Sequence, residues 1–65
     1  MGMSNVRAGD KVTGKYVGKT LVTGTVSDFR MRNYEMIFYV DLDAPIVIYG
    51  RTRQSVVLTE KELLI

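Results

Sequence analysis

The chain has no cysteine and no histidine among its 65 residues. The first absence rules out disulfides and thiolate metal sites; the second removes imidazole ligands and the commonest general base. No tryptophan occurs and only one proline. No apolar run approaches the ~20 residues of a membrane helix, and residues 1–10 lack the apolar stretch of a signal peptide. Met3 offers a native start behind a Met1-Gly2 pair of the kind cloning leaves. Nine Lys and Arg against seven Asp and Glu leave a net charge of only +2. Uniform capture of nucleic acid needs a stronger imbalance, so any basic function depends on clustering. The cysteine-free composition suits a reducing cytoplasm. We expect no metal, no cofactor and no membrane partner.

A chain of this length forms one domain. It buries only about 60% of the surface its unfolded form exposes. Cores of that size supply roughly 3–5 kcal/mol, and small scaffolds add disulfides, metals or self-association to them. Here only self-association is open.

What is present is short β patterning punctuated by glycine. Residues 1–7 are polar and unpatterned, and read as a flexible lead-in to a domain over 8–65. In residues 11–17, Val12, Gly14 and Tyr16 share one face while Lys11, Thr13, Lys15 and Val17 share the other. Gly18-Lys19 marks a reversal. Residues 21–29 are rich in Thr and Val, whose branched Cβ suits a pleated strand. Val22, Gly24 and Val26 form the inward phase, and a mid-strand glycine indicates a bend or close backbone approach.

Arg32-Asn33 is the next reversal, and residues 35–42 follow as a strand. If Val26 and Val40 both point inward, a three-residue loop centred on Asn33 fits. That register sets Gly24 opposite Leu42, Val26 opposite Val40 and Asp28 opposite Phe38, with Met36 on the apolar face. Asp43-Ala44-Pro45 reads as a break. Residues 46–49 then form a short fourth strand, ended by Gly50, and residues 54–58 the last clear one. Thr59 and Glu62 frame a capped helical turn, after which Leu63-Leu64-Ile65 is apolar enough to pack on the body or on a second copy.

The blocks Gly9-Asp10-Lys11-Val12, Gly24-Thr25-Val26, Tyr39-Val40-Asp41-Leu42 and Val56-Val57-Leu58, before Glu62-Leu63-Leu64, resemble an SH3-like small β-barrel. KOW, Tudor and Sm-type modules share that shape. The resemblance implies an all-β, five-stranded barrel with a short helical turn before the last strand. Residues 41–46 also look like segments of uncharacterised small barrels encoded by phages and plasmids. A further likeness is to type II dihydrofolate reductases, SH3-like barrels with a Val-Gln-Ile-Tyr pore motif. Ile46-Val47-Ile48-Tyr49 matches its isoleucine and tyrosine but lacks the glutamine that reads the ligands. It therefore implies a related shape and oligomerisation, not reductase activity.

Two surfaces are candidate sites. Lys11, Lys15, Lys19, Arg30, Arg32, Arg51 and Arg53 form basic clusters that could meet phosphate while tyrosines or Phe29 stack on bases. The competing reading is that these charges solubilise exposed strands, with Asp28 and Glu35 pairing the arginines. An outward apolar set, Val17, Leu21, Phe29, Ile37, Tyr39, Val47 and Tyr49, marks an interface or a core reached by a strand bulge. Asp41 and Asp43 point the same way on a strand, as a Mg²⁺ or acid–base pair would, but their place before a proline turn favours a structural role. The sequence thus predicts a non-catalytic binding module: a protein-interaction adaptor, inhibitor or homo-oligomer using the second and third strands. Nucleic-acid binding is the alternative.

Overall fold

The computed structural model describes residues 6–64. It is all-β: β1 (Lys11–Tyr16), β2 (Thr20–Arg32), β3 (Glu35–Ile48) and β4 (Arg51–Thr59), then a 3-10 turn, Glu60–Glu62. The strands form one antiparallel sheet in the order β1-β2-β3-β4. Four strands therefore replace the five expected, and the sheet is not closed. The chain end ties back to β1 by a single bridge, Gly14 to Leu63, and by Leu64 N–H donating to the Thr13 carbonyl at 2.8 Å. Among the described residues, no helix is long and apolar enough to cross a membrane.

The missing fifth strand is explained at Pro45. Residues 46–49 do not restart after a break; residues 46–48 are the end of β3. Asp41 pairs with Ser55 and Ile46 with Arg53, so residues 42–45 on β3 stand against Gln54 alone. Pro45 falls in this bulge, where its missing N–H costs no ladder bond.

The expected inward phase is the core. Val12, Val22, Val26, Phe38, Val40, Val56, Leu58 and Leu63 are buried, with Val6, Tyr16, Met36, Leu42 and Ile46 packed around them. Residues 1–5 of the expected lead-in, and Ile65, lie outside the described residues. Gly24 makes the close approach that its mid-strand place implied, and Gly14 makes a second. A Cβ on Gly24 would collide with the Asp41 carbonyl oxygen and come within 2.8 Å of Val40 Cγ1. One on Gly14 would meet the Glu62 carbonyl oxygen at 2.7 Å. The capped turn forms as expected: Thr59 N–H donates to Glu62 Oε1 at 2.8 Å.

The register follows expectation up to Val26 opposite Val40 and then departs from it. A bulge at Ser27 shifts Asp28 to Tyr39, Phe29 to Phe38, Met31 to Met36 and Arg32 to Glu35. Asp28 is therefore not opposite Phe38. The extra residue also shortens the loop to Asn33-Tyr34, with φ of 51° and 65°. Val17-Gly18 and Tyr49-Gly50 share the same sign pattern, 56° and 79°, then 51° and 75°. Two positive φ values are the requirement of type I′ turns, whose twist matches that of paired strands. Gly18 and Gly50 adopt them freely, whereas the β-branched Val17 and the bulky Tyr34 do so at a cost.

Candidate functional site

The Ser27 bulge divides the expected apolar set. Beyond it, Phe29 and Met31 take the phase of Phe38 and Met36, so Phe29 belongs to the core face and not to the outer one. Its ring lies 6.4 Å from that of Phe38. Ile37 and Tyr39 keep the outward phase, half-buried. Leu21, Val47 and Tyr49 are 60%, 67% and 88% exposed and sit toward the opposite end of the sheet from Phe29. The residues expected to form one interface thus occupy three places.

One of these places is a groove on the outer face. Ser27, Asp28 and Arg30 from β2, Tyr39 and Asp41 from β3, and Arg53, Ser55, Val56 and Val57 from β4 line it, together with Tyr16 of β1. Its chemistry is mixed. Tyr39 pairs directly with Val57, and Asp41 with Ser55, across β3 and β4. Arg30 Nε is 3.9 Å from Asp28 Oδ2, with both side chains mostly exposed. A contact that long and solvated holds the two groups weakly and leaves both able to change partner. Ser55 and Val57 were not among the expected site residues; the sequence marks Asp41 as a metal or acid–base carboxylate to weigh and Asp28 as an arginine partner, neither as part of a groove. Nothing local marks the grouping, because three strands must pair before it forms.

The basic residues are divided too. Lys11 Nζ donates to both carboxylate oxygens of Asp43, at 2.9 and 2.8 Å, so it ties β1 to the β3 bulge. Asp43 thereby takes a structural partner. Among the described residues, no group of three or more acidic, histidine or cysteine side chains is placed to hold a metal ion. Arg32 pairs opposite Glu35 at the β2–β3 hairpin tip. Arg30 and Arg53 share the groove with Asp28 and Asp41.

The remaining cations are segregated from acid. Residues 11–27 hold three lysines and no carboxylate, and residues 44–59 hold Arg51 and Arg53 and none. In an antiparallel meander the β1–β2 and β3–β4 reversals fall at the same end. Lys15, Lys19 and Arg51 therefore gather toward that end, beside Leu21, Val47 and Tyr49. Comparison of the chain with protein-family models, with curated proteins and with solved structures returns no match.

Proposed function

We propose that this protein is a non-catalytic binding module that takes an extended segment of a protein partner along the outer-face groove. The observation that carries this reading is the groove's composition. An apolar floor of Tyr39 and Val57 is rimmed by both signs of charge, Asp28 and Asp41 with Arg30 and Arg53. Carboxylates on the rim repel a polyphosphate but serve a peptide, whose amides and mixed side chains use donors and acceptors alike. Tyrosine and arginine side chains are the types that carry contact energy in interfaces.

We read the fold as a relative of the SH3-like barrels, with the Gly14–Leu63 bridge standing where a fifth strand would close the sheet. A cytoplasmic setting agrees with the cysteine-free composition. The test is site-specific photocrosslinking in the native host, with a benzoylphenylalanine at position 57 or, as control, at the exposed Lys61. The reading expects a discrete protein adduct from position 57 and none from 61. Equal yields from both, or none from 57, would overturn it.

A second reading is favoured by the acid-free end, where Lys15, Lys19 and Arg51 could contact a nucleic-acid backbone beside Tyr49. It expects oligonucleotide retention at about 50 mM salt that falls steeply as salt rises. Lys15→Ala with Lys19→Ala should abolish that retention. Absence of retention in the unmodified protein sinks this reading.

A further inference from the structure

Among the described residues, the outer edge of β2 beyond Val26 carries no partner strand. The last bonds along it are Gly9 N–H to the Val26 carbonyl at 2.7 Å and Val26 N–H to the Asp10 carbonyl at 2.9 Å. No described residue continues this pairing along residues 28–32.

The backbone groups that face this edge can be named. A two-residue hairpin loop closes on a pair that exchanges both hydrogen bonds, and such pairs alternate along an antiparallel ladder. Arg32 with Glu35 closes the loop at Asn33-Tyr34, so Arg32, Arg30 and Asp28 direct their amides and carbonyls toward β3. Phe29 and Met31 direct theirs outward. An independent contact agrees: Phe29 N–H is bonded not to β3 but to Asp28 Oδ1, at 2.8 Å. A carboxylate thus occupies the amide that a neighbouring strand would use.

We infer that this edge is the self-association surface of the protein, taking the same edge of a second copy in an antiparallel pair centred on Phe29. The register follows from the outward groups. Phe29 then exchanges both backbone bonds with Phe29 of the second copy; Gly9 and Asp10 already hold Val26, so the paired segment is confined to residues 28–30 and the second hairpin diverges beyond it. Asp28 falls opposite Arg30 of the second copy, and Arg30 opposite its Asp28. Charge is therefore complementary twice, with no like charges directly opposed. On the other face the two Phe29 rings, each 40% exposed in one copy, cover one another.

The exchange of partners is balanced. Phe29 N–H passes from Asp28 Oδ1 to a carbonyl, and the released carboxylate receives an arginine in place of its own Arg30, which is 3.9 Å away. The surface lies on the edge and not along the Tyr39–Val57 floor, but it shares Asp28 and Arg30 with the groove's rim; crosslinking from position 57 tests the groove without altering either residue, so the two failures are distinguishable.

The experiment is a charge swap read by sedimentation velocity. The unmodified protein should sediment as a concentration-dependent dimer. Asp28→Arg sets two arginines opposite each other, and Arg30→Asp sets two aspartates. Each alone should weaken dimerisation by at least about tenfold, since like charges brought together at an interface repel strongly. Mixing the two variants restores both ion pairs, so the mixture should form a heterodimer that neither makes alone. A monomeric unmodified protein, single variants that still dimerise, or a mixture that stays monomeric would each overturn the inference. Circular dichroism of the variants checks that both remain folded, as expected for changes at exposed positions.

Discussion

In its first half β2 lies between β1 and β3, and Val22, Gly24 and Val26 are buried there. In its second half it has β3 on one side and no described strand on the other, and Phe29 and Met31 are 40% and 64% exposed. One residue, Ser27, separates the two regimes. Before it, side chains answer to packing so tight that a single Cβ cannot be added at Gly24. After it, the phase reverses, and Phe29 and Met31 carry the core face out along the hairpin, where little covers them. The contrast teaches that the body of this protein is specified by packing, while the protruding hairpin carries more than packing requires. A small sheet can afford such an arm only if its edge is guarded, and Asp28 guards it.

This contrast can be broken most severely in the buried half. Leu58→Ala removes a side chain with no exposed surface and should cost about 2–5 kcal/mol. That rivals the roughly 3–5 kcal/mol a core of this size supplies, so the variant should be largely unfolded at 25 °C by circular dichroism. A native-like spectrum and melting curve would show that the core is not where stability resides.

Gly24→Ala is the next test. Its methyl must displace the Asp41 carbonyl or Val40, and overpacking of this kind costs about 1–3 kcal/mol. Chemical denaturation should show a lower midpoint with an unchanged slope. No change would mean that β2 and β3 are not as closely apposed as described.

The exposed half should respond weakly and in the opposite direction. Tyr34→Gly places the preferred Asn-Gly pair in a turn that demands positive φ twice. Relief of the ~1–2 kcal/mol left-handed cost, offset in part by glycine's greater unfolded-chain entropy, should leave a stabilisation below about 1 kcal/mol. A destabilised variant would show that Tyr34, though fully exposed, makes contacts in solution that the turn geometry alone does not explain.

Much of the buried half was legible in the sequence. Alternation alone located Val12 and Gly14, Val22 through Val26, and Phe38 with Val40, because a strand with one dry face must repeat every second residue. The pairs Gly24–Leu42 and Val26–Val40 followed from that phase. What failed lay beyond local patterns. Ser27 carries no signal that it will be the extra residue of a bulge, yet it reassigned Phe29 to the opposite face and shortened the Asn33 loop. Pro45 read as a stop because proline cannot donate to a ladder, but a bulge exempted it from doing so. The outer groove was half legible: Arg30, Tyr39 and Arg53 were named and Asp28 was read as an arginine partner, whereas Ser55 and Val57 join them only through pairing across three strands.

The central claim, that the open half of β2 is the working edge, is tested most directly at the Phe29 amide. Its hydrogen-exchange rate should be measured by NMR across a dilution series. Exchange at Phe29 should slow as concentration rises, with Val26 and Val40 amides unaffected. A Phe29 rate independent of concentration would contradict a working edge there.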